Sequence, residues 1–232
     1  MHKTLLIVAL ALIVAPALAQ QPATADVLAG ATTLVGQPES HGLPTRNARV
    51  TGFRSVTFGA SPDEVRAAVA RDFGTAAAAA LTPETVEPGF TALATSADVA
   101  EVGGRASLLY VFDGDALAAI NVVRATSDRP TAADRQALVA QAARTAAALL
   151  EQVWRPFAMV RGRPLPGNQV IVLAAADDVG DGVELRLVNI PHNARLADGR
   201  SFDVAAGPGA AALRLVFRQD IDGLSILKPG DF

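Results

Sequence analysis

The chain has 232 residues, with 20 basic and 23 acidic side chains, a formal net charge of −3 and no cysteine. The acidic balance argues against a general nucleic-acid-binding protein, which needs a basic face, and the missing cysteine excludes disulfides, thiolate metal sites and cysteine nucleophiles. Hydrophobic residues make up 50% of the chain, so a protein of this size can be stabilised by burial alone.

The first 19 residues have the layout of a secretory signal peptide. Lys3 precedes an apolar run, Pro16 follows it, and Ala17 to Ala19 form a small-x-small cleavage site. A membrane anchor is the alternative, but the run is shorter than the roughly 20 apolar residues that span a bilayer. We therefore expect removal of residues 1–19, no stable membrane span after cleavage, and a periplasmic or secreted protein.

The mature chain is expected to begin with a flexible arm over residues 20–49. Prolines and glycines are scattered there among small residues, without the period of a helix or a strand. Two α+β units are predicted to follow the arm, the first over residues 50–128 and the second over residues 129–232.

A strand, a tight turn and a capped helix are predicted over residues 50–74. Ser61 and Glu64 form a capping box, with Pro62 at the first helical position. An apolar residue recurs every four positions after the cap, and Gly74 is a typical helix stop. A glycine before a helix also opens phosphate-binding loops, but the acidic first turn and the missing lysine argue against that interpretation.

Alternating apolar residues predict several strands after this helix. The first covers residues 90–99. The clearest hairpin has Asp113–Asp115 as its turn, and the alternating segments Leu108–Phe112 and Leu117–Val123 flank that turn.

The C-terminal part of the chain predicts more strands. A second hairpin is expected around Asp178–Gly182, and one face of its second strand should be solvated because Glu184 and Arg186 alternate with leucines. Further strands are predicted over residues 201–206 and 211–219. In the last of these, arginines alternate with apolar residues.

A second helix is predicted between the two groups of strands. It begins at Thr131, which forms a weaker capping pair with Asp134. Its apolar face continues to Trp154, and Pro156 ends the helix at Arg155.

The order of elements is a helix followed by antiparallel strands, twice over. This order favours an α+β fold in which antiparallel sheets are each covered by a helix. The repetition further suggests two tandem α/β repeats that form a layered sandwich.

Two stretches resemble a pattern in small bacterial envelope proteins. FGASPDEVRAAV at residues 58–69 has a Gly-x-Ser/Thr-x-x-Glu-Val helix start, and LLYVFDGDALAAINVV at residues 108–123 is a hairpin that contains tyrosine. Residues 50–125 are thus similar to the outer-membrane assembly protein E family and to the fold shared with beta-lactamase inhibitor proteins. The resemblance implies two tandem α/β repeats, a protein-binding role in the envelope and no catalysis.

Residues that could catalyse a reaction or bind a metal are few or poorly spaced. His192 is expected to be an exposed turn residue, with no nearby histidine to support a metal site. Asp177, Asp178 and Asp181 lack the spacing of a calcium loop, which needs a glutamate where Val188 stands. We expect no catalytic residue, no metal site, no cofactor and no enzymatic activity.

A cluster of aromatic and basic residues is the candidate partner-binding site. Tryptophan and arginine are enriched at the hot spots of protein interfaces. The alternative is that the tryptophan anchors the end of a core-facing helix and the arginines are simply solvated. The cluster consists of Trp154, Arg155, Phe157, Arg161 and Arg163.

These observations favour a non-catalytic protein-binding module, such as an envelope assembly factor, an inhibitor-like protein or an accessory subunit. Its partner would be an envelope or secreted protein, and not nucleic acid. A carrier of a small apolar ligand or lipid is one alternative, which requires a continuous apolar cavity. A secreted hydrolase is the second, which requires two carboxylates, or a serine and His192, in one cleft.

Overall fold

The computed structural model describes residues 46–86, 89–195 and 201–220. The predicted signal peptide and the predicted arm up to residue 45 lie outside the described residues. Within those ranges, no helix combines the length and apolar character that a membrane crossing requires.

The described residues form fourteen strands and three α-helices. The helices are α1 (Pro62–Phe73), α2 (Thr75–Ala79) and α3 (Ala132–Leu150), and a short 3₁₀ helix covers Ala100–Val102. The strands are β1 (Arg46–Asn47), β2 (Gly52–Phe53), β3 (Val56–Thr57), β4 (Thr82–Thr85), β5 (Phe90–Val99), β6 (Gly104–Asp113), β7 (Ala116–Ala125), β8 (Gln152–Val153), β9 (Met159–Leu165), β10 (Gln169–Ala176), β11 (Gly182–Val188), β12 (His192–Arg195), β13 (Ser201–Val204) and β14 (Ala212–Arg218).

Eight of these strands form one antiparallel sheet, in the order β4-β5-β6-β7-β14-β11-β10-β9. Strand β14 lies between β7 and β11, and Leu215 is paired with Val122 on one side and with Leu185 on the other. The sheet therefore joins strands from the first and the second half of the chain.

The predicted fold class, an α+β layered sandwich of two tandem repeats with each sheet covered by a helix, is wrong. Strands account for most of the regular structure in the described residues, and the main sheet is a single one of eight strands. The sheet is continuous because β14 pairs with both β7 and β11. The fold class rests on the order of elements along the chain, and that order does not show which distant strands pair with one another.

One apolar core joins the two longer helices to one face of the sheet, here called the core face. Because side chains alternate along a strand, Glu184, Arg186 and Arg214 project from the opposite side, here called the second face. Full burial of one large apolar side chain contributes about 1.5–3 kcal/mol, so this core supplies much of the stability. Its largest fully buried members include Leu108, Tyr110, Ile120, Leu138, Leu173, Leu185, Leu213 and Leu215.

The predicted starts of both helices are confirmed. The Ser61 backbone N–H donates to Glu64 Oε2 at 2.8 Å, while Ser61 Oγ accepts from the Glu64 backbone N–H at 3.4 Å. Thr131 and Asp134 form the same reciprocal pair. Gly74 ends α1 with a φ of 89°, a conformation that favours glycine.

Two predicted boundaries are wrong. The sequence predicts that the second helix reaches Arg155, but α3 ends at Leu150 and the next residues form β8, which pairs in parallel with β1. The sequence predicts a single strand before α1, but the structure has two short antiparallel strands there, β2 and β3. The chain turns between them at Arg54, whose φ is 55°. In both places a contact with another segment decides the local structure.

The strands that the sequence predicts after α1 are confirmed. The hairpin of β6 and β7 closes at the Asp113–Ala116 pair, and that of β10 and β11 closes at the Ala176–Gly182 pair. Residues 90–99 form β5, while β13 and β14 lie within the two segments predicted near the C-terminus.

Candidate partner-binding site at the 155–158 turn

Trp154 belongs to the core and not to the surface. Only 7% of it is exposed, and its indole N–H donates to the Leu149 carbonyl oxygen at 2.8 Å. This placement agrees with the alternative in which the tryptophan is an anchor. The residues that follow it are therefore held at a fixed point beside the end of α3.

The 155–158 turn begins immediately after this anchor. The Ala158 N–H donates to the Arg155 carbonyl oxygen at 3.2 Å and closes the turn. Two further bonds attach the turn to the end of β10: Arg155 N–H to the Ala176 carbonyl oxygen at 3.1 Å, and Ala176 N–H to the Ala158 carbonyl oxygen at 3.0 Å. Its backbone is therefore fixed on both sides.

Phe157 projects from this turn into solvent. It is fully exposed, at 101% of its reference area, and its φ is 61°. Proline at the second position and positive φ at the third are typical of a type II turn, in which glycine is preferred at the third. A bulky residue in this conformation costs of order 1–3 kcal/mol. Phe157 thus combines a strained backbone with a fully exposed aromatic ring.

Two more exposed apolar side chains lie on the adjoining segments. Val153 precedes Trp154, and Val179, which is 66% exposed, lies in the turn that follows Ala176. We call Val153, Phe157 and Val179 the loop-end patch. Exposed apolar residues on adjoining segments are a candidate interaction surface.

Asp177 organises the turn that carries Val179. One carboxylate oxygen accepts from the Val50 N–H at 2.9 Å, and the other accepts from the N–H groups of Val179 and Asp181 at 3.0 and 3.1 Å. The carboxylate is buried and serves three backbone donors, so it orders a turn. Across the described part of the chain, no group of three or more potential metal-ligating side chains occurs.

The arginines of the predicted cluster are placed differently from one another. Arg161 lies on β9 and is exposed, with its Nε 3.1 Å from Met159 Sδ. Arg155 and Arg163 are partly buried, and each has an interaction partner. Of the five predicted residues, Phe157 and Arg161 are thus the exposed ones.

His192 is not the exposed turn residue that the sequence predicts. It begins β12 and is buried, with Nδ1 3.0 Å from the Ile190 carbonyl oxygen. Since one ring nitrogen faces a backbone carbonyl, the imidazole has a structural hydrogen bond.

The second face contains a polar cluster where the sequence predicts solvated side chains. Glu184 is in fact buried. Arg186 donates from Nε and Nη2 to Glu184 Oε1 at 2.7 and 2.6 Å, and from Nη1 to Gln169 Oε1 at 2.8 Å. Arg214 donates from Nη2 to Asn121 Oδ1 at 3.3 Å. The alternation of charged and apolar residues located this face but did not indicate how far it is buried.

Two open grooves border α1. One, of about 500 Å³, lies beside β3 and includes Glu64 and Arg71 in its lining. The other, of about 400 Å³, includes Asp72, Asp98 and Arg105. Both grooves have charged walls and are open to solvent, so neither is the continuous apolar cavity that a lipid carrier requires.

Tyr110 lies in the core close to Asp72 and Arg54. Its hydroxyl is buried and has no hydrogen-bond partner in the described ranges. Burial raises the pKa of Tyr110, the charge of Asp72 raises it further, and that of Arg54 opposes the change. The phenol is therefore neutral at physiological pH and is not a base.

Comparison with known proteins gives no family for this chain. No family model, no curated protein and no solved structure matches it.

Proposed function

We propose that the protein is a non-catalytic protein-binding module that docks on an envelope or secreted protein through the loop-end patch. The observation that carries this proposal is Phe157, a fully exposed phenylalanine held at positive φ. A residue that exposes an aromatic ring and strains its own backbone is better explained by a contact with another molecule than by folding.

The turn is suited to binding because it is ordered beforehand. Its backbone is attached to β10, and Trp154 fixes its first end in the core. A preordered turn loses little conformational entropy when it binds. Burial of one phenylalanine side chain contributes about 1.5–3 kcal/mol, which corresponds to roughly 10- to 150-fold in affinity.

The surroundings indicate the chemistry of the partner. Val153 and Val179 extend the apolar area, and Arg161 provides an exposed positive charge on the neighbouring strand. An apolar pocket with an acidic rim would complement this surface. The predicted signal peptide favours a partner outside the cytoplasm.

A glycine substitution tests the proposal without unfolding the protein. Glycine tolerates positive φ, so Phe157→Gly should unfold no more readily than the wild type while it removes the ring. Phe90→Ala is the matched control, because Phe90 is also an exposed phenylalanine but begins β5, near the opposite edge of the sheet.

Immobilised wild type and both variants are incubated with envelope and periplasmic extract, and the affinity of any captured protein is then measured. We expect wild type and Phe90→Ala to retain the same protein, and Phe157→Gly to bind it roughly 10- to 150-fold more weakly. Equal affinity for Phe157→Gly, confirmed as folded by circular dichroism, would refute a role for the loop-end patch.

A further inference from the structure

We infer that the second face contains a binding site for a small oxyanion, a carboxylate or phosphate group, between Arg186 and Arg214. This inference does not depend on the loop-end patch, which lies in the turns beyond β10. We call the cluster of Asn121, Gln169, Glu184, Arg186 and Arg214 the arginine site.

The two arginines are direct neighbours on one face of the sheet. Arg186 on β11 is paired with Arg214 on β14 in the antiparallel register. Directly paired residues have Cα atoms about 4.5–5.5 Å apart, and like charges in such positions destabilise a sheet. This arrangement is therefore unfavourable unless anions balance both charges.

The described residues supply only one balancing charge. Both short contacts of Glu184 are with Arg186, which also bonds to Gln169. Arg214 forms no salt bridge with any residue that the structure describes, and its one hydrogen bond is to the neutral amide oxygen of Asn121. Two positive charges thus face one negative charge.

Arg214 also has an unused donor. Its Nε is buried and lacks a hydrogen-bond partner within the described part of the protein. Buried polar groups are nearly always paired, and an unpaired one is frequently a place where a water or an ion binds. Burial lowers the pKa of Arg214, the charge of Arg186 lowers it further, and Glu184 opposes the change. A bound anion would accept from the unpaired donor and oppose the effect of the Arg186 charge.

The geometry of the donors indicates the class of ligand. The planar guanidinium donates two parallel hydrogen bonds to two oxygens of a carboxylate or phosphate, a match that a single-atom ion such as chloride does not offer. The Arg186 side chain is 17% exposed, so the site can be reached from solvent. Because Nε itself is buried, a rotation within the Arg214 side chain would accompany binding.

The first test is thermal unfolding at constant ionic strength, with chloride replaced stepwise by phosphate in one series and by acetate in another. At ten times the dissociation constant, one bound anion raises Tm by about 3–6 °C for a protein of this size. Arg218→Gln is the matched control, because Arg218 lies on the same strand and the same face but is exposed.

We expect Tm to rise in wild type and in Arg218→Gln, and not to rise in Arg214→Gln. A response to phosphate alone or to acetate alone identifies the ligand group. The inference is overturned if wild type responds to neither anion, or if Arg214→Gln responds as wild type does.

The second test uses the wild-type protein alone and so does not depend on the folding of a variant. The Nε–H resonances of the arginines are followed by NMR during the same titrations. The Arg214 resonance should shift and saturate with the anion, because its Nε–H acquires an acceptor. If Arg214 does not shift, or shifts only in the linear manner of exposed Arg218, the site does not exist.

Discussion

Two arginine–glutamate pairs in this protein differ in burial and in their neighbours. Arg54 and Glu101 form a bidentate pair at 2.7 and 3.0 Å, with side chains 26% and 38% exposed. Arg186 and Glu184 make an equally short contact, but their side chains are 17% and 8% exposed. The first pair is partly solvated, whereas the second is largely removed from water.

The neighbours of each pair determine its role. Arg54 also lies over the Phe73 ring, 4.5 Å from its centroid, so its charge is satisfied on two sides. Arg186 instead lies opposite a second arginine, Arg214. The Arg54–Glu101 pair therefore links two segments, whereas the Arg186–Glu184 pair leaves an excess of positive charge beside Arg214. Short distances alone do not distinguish these roles.

The largest difference between the pairs should appear when the carboxylate is neutralised. Glu184→Gln leaves two neighbouring arginines on the second face without a counter-charge, and we expect a loss of about 3–5 kcal/mol in unfolding free energy. Urea denaturation measures this value. Glu101→Gln is the matched control and should lose no more than about 1 kcal/mol. If both variants lose the same unfolding free energy, the burial of the Arg186–Glu184 pair does not make it more important for stability than the Arg54–Glu101 pair.

A smaller effect of opposite sign is expected at Arg214. Arg214→Met keeps the aliphatic volume but removes the unpaired Nε, a group whose burial costs about 1–3 kcal/mol. In chloride buffer the variant should therefore be more stable than wild type by up to that amount, as measured by urea denaturation. A less stable variant would mean that Arg214 Nε has a hydrogen-bond partner in solution, and that Arg214 stabilises the protein instead of destabilising it.

The smallest effect concerns the pH dependence of the solvated pair. Burial alone would raise the pKa of Glu101, but the hydrogen bond and charge of Arg54 outweigh it, and the pKa is lowered. The stabilisation is therefore present above the pKa of the unfolded chain and is lost as pH falls through the lower pKa of the folded state. The difference in unfolding free energy between wild type and Glu101→Gln should shrink between pH 7 and pH 3. A constant difference would contradict a contribution from the ionised pair.

Local chemistry made part of the fold predictable. The capping residues Ser61 and Glu64 act over three positions, so their pattern is visible in the sequence, and the same is true of the Asp113–Asp115 turn. The pairing of β14 with β7 joins residues some ninety positions apart, such as Val122 and Leu215, and no local pattern encodes it. The error in fold class came from this long-range step.

The position of the candidate site along the chain was predictable from the sequence, but the exposure of its residues was not. The composition near residue 157 indicated a binding segment, but hydrophobic character alone could not tell that Trp154 is buried and Phe157 is exposed. That outcome depends on where α3 ends and on the attachment of the 155–158 turn to Ala176. The arginine site depends on the β11–β14 register, which only the folded chain defines.

The position of β14 also has a consequence for biosynthesis. Although it is the last described strand in chain order, it occupies the middle of the sheet. Until residue 218 has left the ribosome, β7 and β11 each have one edge without a partner strand, and such edges can pair with other chains. We therefore expect β14 to join the sheet late in folding, and a nonsense mutation shortly before residue 212 to yield an aggregating product.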